Sequence, residues 1–118
     1  MRMLFNQLTL ARLGLVVCLL CVTTLALLPI TEIPGFMVWD KANHFIAFVV
    51  LTGLLYFSFE KIKIFTLIIL PLFGYGFLLE VIQGLTEYRV FSMFDLLADA
   101  IGIMAGIVVC RLIRKYVY

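Results

Sequence analysis

The sequence predicts an all-α integral membrane protein, one domain over residues 1–118, built as a bundle of four transmembrane helices with both termini in the cytoplasm (N-in/C-in). Three observations carry this. First, 65% of the 118 residues are hydrophobic and 14% are charged, with a mean hydropathy of +1.21. A soluble domain is about 45–50% apolar and about 25% charged, so this chain lacks the polar side chains to coat a water-facing surface. Second, the apolar residues fall in long runs, each near the roughly 20 residues a spanning helix needs, and four runs with short loops use up the length. Third, the basic residues collect at alternate connections.

The elements follow in order. Met1–Arg12 is a short amphipathic lead, and the first span covers about 13–28. Thr23 and Thr24 interrupt it, with hydroxyls that bond back to helix carbonyls. A basic start before an apolar run also fits a signal peptide, but the exit LALLPITE lacks a small-x-small cleavage pattern, so a retained span is expected. Pro29 and Pro34–Gly35 close this helix. Trp39 reads as an interfacial anchor. Asp40 reads as the N-cap of the second span, about 42–59. Glu60, Lys61 and Lys63 make a tight turn. The third span, about 64–84, contains Pro71, which has no N–H to donate and is expected to kink it. Gly74 and Gly76 follow, small enough for close helix approach. Thr86–Ser92 is a loop, and the fourth span, about 93–113, ends at Arg111, Arg114 and Lys115.

Orientation comes from counting bases. Arg2, Arg12, Lys61, Lys63, Arg111, Arg114 and Lys115 share one side, while the other carries only Lys41 and Arg89. The positive-inside rule places the larger set in the cytoplasm. Of the seven acids, only Glu60 belongs to that side. The absence of a basic stripe argues against nucleic-acid binding. Cys18 and Cys21 have C-x-x-C spacing but lie mid-helix in VVCLLCV, and with Cys110 they read as apolar packing residues, not redox thiols.

The outer half gathers the polar residues of three helices. Asp40 and His44 are four apart and share a helix face; Glu80 and Gln83, three apart, do likewise. Asp95, Asp99, Gly102 and Gly106 step by four, three and four along one stripe. The two glycines form G-x-x-x-G, which allows close backbone contact and turns both carboxylates into the bundle. An intramembrane Glu must find a partner or stay protonated, and the cations within reach of Glu80 are Arg89, Lys41 and His44. Each feature has a plainer reading: Asp40 and Asp95 as helix caps, Arg89 as a loop salt bridge, Asp99 as its pair, the whole set as a structural clasp. Three helices bringing polar residues to one end tilts the balance toward a ligand site.

The succession D-K-x-x-H-F (Asp40, Lys41, His44, Phe45), E-x-x-Q (Glu80, Gln83), R-x-x-S-x-x-D (Arg89, Ser92, Asp95) and G-x-x-x-G (Gly102, Gly106), set in four short spans, resembles the VanZ-like family of small bacterial membrane proteins. The resemblance covers about Trp39 to Gly106. The chain departs from the family pattern at Asp99, where members often carry Asn, and at Leu79, where they often carry an acid just before Glu80. The family takes its name from a protein associated with resistance to glycopeptide antibiotics, which bind cell-wall precursors outside the membrane. The resemblance therefore implies a cell-envelope protein of the bacterial inner (plasma) membrane, multi-pass, with its polar cluster on the outer face.

The expected function is non-enzymatic. An outward polar pocket binds a polar or anionic head group, either a lipid-linked cell-wall precursor or a phospholipid. Lys41, His44 and Arg89 meet the anion, and Asp40, Glu80, Gln83, Ser92, Asp95 and Asp99 position them or accept hydrogen bonds from the ligand. The partners are the lipid bilayer and that ligand, with homo-oligomerisation compatible; no cofactor is expected, and a lone His argues against a His-rich metal site. Three alternatives stand. In a membrane-embedded hydrolase or phosphotransferase, His44 is nucleophile or base oriented by Asp40, and Glu80 or Asp95 is the acid or holds a divalent metal. In a proton-coupled carrier, Glu80 and Asp99 relay protons. In a structural subunit, the cluster is only a clasp.

Overall fold

The computed structural model describes residues 5–27, 36–59, 63–85 and 93–116. Among these, four helices account for nearly every residue: α1 (Phe5–Leu27), α2 (Phe36–Tyr56), α3 (Leu70–Leu85, continuing a π-helical segment at Ile64–Ile69) and α4 (Met93–Tyr116). The chain is all-α, as expected. Three stretches are long and apolar enough to cross a membrane: Gln7–Ala26, Ile64–Leu85 and Met93–Tyr116. At 1.5 Å per residue each reaches roughly 30 Å or more, the thickness of a bilayer's hydrocarbon core. The described apolar part of α2, Ala42–Tyr56, is shorter.

Two boundaries correct the sequence reading. α2 begins at Phe36, so Asp40 lies inside the helix and is not its N-cap. α1 begins at Phe5, so residues 5–12, read as part of a lead, belong to the first helix. In α3 the effect of Pro71 appears one turn early. The Leu70 N–H bonds to the Phe65 carbonyl, a five-residue step, and the widened segment hands over to α-helix just before the proline. Pro71 has no N–H to add to the ladder, and the change from five-residue to four-residue steps falls at this point.

α2 and α4 form the tightest pair, with α1 and α3 packed around them. Glycine is the reason. A Cβ on Gly102 would lie 2.7 Å from the Phe45 carbonyl oxygen, and one on Gly106 would lie 2.7 Å from Thr52 Cβ. Only hydrogen at these positions lets α4 approach the α2 backbone so closely. Gly74 plays no such part, having open space around it. Phe48, Leu51, Ile68, Leu72, Ile103 and Ile107 fill the centre.

Outward faces are apolar: Leu10, Leu13, Val17 and Leu20 on α1, Phe77 and Leu78 on α3, and Ile101, Met104 and Val108 on α4 are all exposed. A surface of this kind suits lipid and not water. Hydroxyls within the helices are satisfied locally. Thr24 Oγ1 donates to the Leu20 carbonyl at 2.8 Å and Thr52 Oγ1 to Phe48 at 2.6 Å. Thr23, expected to bond backward, instead meets the Tyr75 hydroxyl at 2.5 Å and ties α1 to α3.

Candidate polar site at one end of the bundle

His44 occupies the third turn of α2 and is 8% exposed. Four residues on, on the same helix face, Phe48 is fully buried. Glu80 comes from the last turns of α3, while Asp95 and Asp99 come from the first two turns of α4. All three carboxyl groups are buried, Glu80 and Asp99 completely. Helices of alternating direction thus bring α2's start, α3's end and α4's start to one end of the bundle.

The imidazole sits between the carboxyls. Its Nδ1 lies 2.7 Å from Asp99 Oδ1, a full hydrogen bond. With Asp99 ionised, its carboxylate only accepts, and Nδ1–H is the donor. The other ring nitrogen, Nε2, faces Glu80 Oε2 and Asp95 Oδ2, each at 3.9 Å. These are charge contacts and not hydrogen bonds.

Asp99 needs space that Gly76 provides. A Cβ on Gly76 would stand 2.5 Å from Asp99 Oδ2 and 3.1 Å from the Phe48 ring. Gly76 is four residues before Glu80, so one face of α3 carries both a carboxyl and the notch that admits its neighbour. The sequence reading took Gly76 only as a packing residue. Its i, i+4 relation to Glu80 was the available signal.

Gln83 does different work. Although it shares a face with Glu80, its Nε2 donates to the Ala26 carbonyl at 2.7 Å. Ala26 lies in the last turn of α1, where carbonyls have no partner within the helix. Gln83 therefore closes the end of α1 against α3.

The sequence reading named Asp40 as the carboxylate that orients His44; its side chain lies outside the described residues, and the structure adds a second acid. The acid on His44 Nδ1 is Asp99, from another helix and 55 positions along the chain. Among the described residues the basic group beside Glu80 is His44, at 3.9 Å, one of the three the sequence reading named. Asp40 and Lys41 lie on α2 in the turn before His44, but their side chains are outside the described residues, as are Arg89 and Ser92 entirely.

Chemically the arrangement is an imidazole hydrogen-bonded at one ring nitrogen and facing two buried carboxyl oxygens with the other. It is suited to holding positive charge, whether a proton, an ammonium or a metal ion, and to accepting hydrogen bonds from hydroxyl groups. Asp99 sharpens this. An Asn carbonyl would also accept from Nδ1–H, but the carboxylate adds a charge that favours a cation nearby.

The protein-family model VanZ/LLP1 matches residues 3–114 of the chain. No curated protein and no solved structure matches it.

Proposed function

Because this chain belongs to the VanZ/LLP1 family, we propose that it is a four-span protein of the bacterial inner membrane that binds the head group of a membrane-anchored ligand at its outer face. Both termini lie in the cytoplasm in this reading. The observation that carries it is the buried set of His44, Glu80, Asp95 and Asp99, contributed by three helices and gathered at one end. A clasp of this size exceeds what bundle stability needs, since polar contacts between membrane helices average under about 1 kcal/mol.

The acidity of the described cluster narrows the ligand. Carboxylates repel a bare phosphate but accept hydrogen bonds from sugar hydroxyls and from ammonium groups. The head group therefore presents such donors beside its phosphate, as a lipid-linked cell-wall precursor or an amine-bearing phospholipid does. Glu80 and Asp95 take the donors, and Lys41 and Arg89 take the phosphate, Arg89 by its planar fork. Labelling a single cysteine introduced at Glu87 or at Lys63 tests the orientation. The Glu87→Cys thiol reacts with an impermeant reagent from outside; labelling of Lys63→Cys alone would reverse the topology. Glu80→Gln, His44→Ala and Arg89→Ala test the site. Folded yield holds while binding to one member of a panel of polyprenyl-linked and phospholipid head groups is lost. Loss of yield in all three, with no ligand bound by the parent, would make the cluster a clasp.

A second reading draws on the His44–Asp99 pair. An imidazole held by a carboxylate at Nδ1 is the arrangement of a general base in hydrolysis. It requires turnover of a lipid-linked phosphate or ester that stops in His44→Ala; binding without turnover leaves the first reading.

A further inference from the structure

We propose that the basic end of the bundle holds the phosphate of an anionic phospholipid, gripped by Arg12 of α1 and Arg114 of α4 around the turn that ends α2. The site is separate from the acidic cluster and does not depend on the function proposed above. Its role is to seat the bundle in an anionic leaflet.

Convergence is the first support. The consecutive residues Tyr56–Phe59 hold two guanidiniums that come from two other helices. Arg12 Nε donates to the Ser58 carbonyl at 2.9 Å, and its guanidinium lies 5.5 Å from the centre of the Phe59 ring. Arg114 lies 4.9 Å from the centre of the Tyr56 ring and 5.8 Å from that of Phe57, and those two rings meet edge to face at 5.2 Å. The turn itself is firmly bonded. The Phe57 N–H reaches the Gly53 carbonyl, the Ser58 N–H reaches Leu55, and Ser58 Oγ donates to Leu54 at 2.6 Å. Like charges drawn to one turn repel, and an anion between them turns that repulsion into attraction.

Counter-charge is the second support. Among the described residues, Arg12 and Arg114 meet rings and a carbonyl but no carboxylate. A ring attracts a cation without using its N–H groups, and the Ser58 carbonyl takes one N–H of the five that Arg12 carries. The rest of the planar fork matches the oxygens of a phosphate. A plainer role for Arg12, capping the last carbonyls of α2, accounts for that one N–H only. Topology by itself asks only for positive charge near the boundary, which the exposed Arg111 also supplies.

Depth is the third support, and it selects a lipid. Arg12 lies inside the apolar span Gln7–Ala26, about 7.5 Å along the axis from its start, and Arg114 lies inside Met93–Tyr116. A head-group layer is roughly 5–7 Å deep on each side of the hydrocarbon core, so Arg12 sits at its inner edge. A cation at that depth calls for a partner at the same depth. Leu13, Val16 and Leu112 nearby are exposed and offer apolar surface to acyl chains, from which a free phosphate gains nothing. Basic pockets between membrane helices take anionic head groups in this way. A zwitterionic lipid suits the site less, because it brings an ammonium toward the same cations and toward Lys63, exposed just beyond the turn.

The test is native mass spectrometry of the full-length protein in a non-ionic detergent. Phosphatidylglycerol, cardiolipin, phosphatidylethanolamine and phosphatidylcholine are supplied in turn at equal concentration. The expected result is that phosphatidylglycerol or cardiolipin is held about tenfold more tightly than either zwitterionic lipid. Arg12→Gln and Arg114→Gln each weaken that binding about tenfold or more, as loss of a charged hydrogen bond does. Arg12→Lys recovers only part of the loss, because an ammonium has no fork. Arg111→Gln removes the same charge from an exposed position and weakens binding by no more than about fivefold, the worth of one cation near an anionic surface. Phe59→Leu keeps every charge, removes the ring under Arg12 and also weakens binding; it carries the test if Arg12→Gln fails to fold. Anionic lipid held no more tightly than zwitterionic lipid, or equal losses in Arg111→Gln and Arg114→Gln, overturns the proposal and leaves only a diffuse positive field. Displacement of the lipid by millimolar inorganic phosphate or glycerol 3-phosphate overturns it as well, since the ligand is then a soluble phosphate. Loss of anionic lipid in His44→Ala with none in Arg12→Gln moves the lipid to the acidic end, which sinks this site and leaves the head-group reading standing.

Discussion

The two ends of the bundle handle charge in opposite ways. At one end Arg12 donates to the Ser58 carbonyl at 2.9 Å and lies over the Phe59 ring, while Arg114 lies over Tyr56 and Phe57. Arg12 is exposed and Arg114 half-buried, and Lys63 and Lys115 beside them are exposed. Each cation has an aromatic face, a carbonyl or open surroundings, so none is stranded. At the other end, about 18 Å away along α2, three carboxyls and an imidazole are packed out of contact with the surroundings. The basic end is an inexpensive solution to a membrane boundary, repeated on several helices and tolerant of change. The acidic end concentrates buried charge that no boundary requires. That contrast is the reason for placing function at the acidic end and orientation at the basic one.

Four substitutions sharpen or break the contrast, all read as unfolding free energy in mixed micelles. His44→Ala has the largest effect. It removes the buried hydrogen bond to Asp99, at about 1.5–3 kcal/mol, a cost the folded bundle survives. A loss below that of Arg114→Gln would show that the cluster is not the electrostatic centre. Gly102→Ala comes next, at about 1–3 kcal/mol, because the new methyl meets the backbone oxygen of Phe45 and α4 must move away from α2. The same change should also disturb ligand binding, since Asp99 is one turn away. Gln83→Leu leaves the Ala26 carbonyl without its donor and costs about 1–2 kcal/mol; ligand binding is retained if Gln83 serves only α1. Arg114→Gln has the smallest effect, under about 1 kcal/mol, the value of an exposed cation over a ring. Its consequence is expected in topology, as a larger fraction of inverted chains.

The sequence and the structure agree where one-dimensional physics is sufficient. Hydropathy and run length gave the helical class and located the apolar stretches, because burying backbone polar groups in lipid leaves the helix as nearly the only option for a short chain. Helical spacing placed Asp95, Asp99, Gly102 and Gly106 on one stripe, and all four are buried. Local rules failed where a longer element overrode them. Asp40 has the chemistry of an N-cap, but the helix had already begun at Phe36. Pro71, expected to disturb the third span, follows directly on a π-helical segment at Ile64–Ile69 that hydropathy alone did not indicate.

What the sequence determined by itself was the material: apolar helices of bilayer length, a basic end, and a few polar residues three or four positions apart that had to face inward. These follow from composition and periodicity, which are properties of each segment alone. Which acid meets which base was decided only by tertiary structure. Asp99 from α4 holds His44 Nδ1, Gln83 reaches the end of α1, and Gly76 makes room for a carboxyl on another helix. Pairings between helices depend on rotation about each axis and on the distance of closest approach, and the glycines on α4 set that distance through contacts with residues more than fifty positions away.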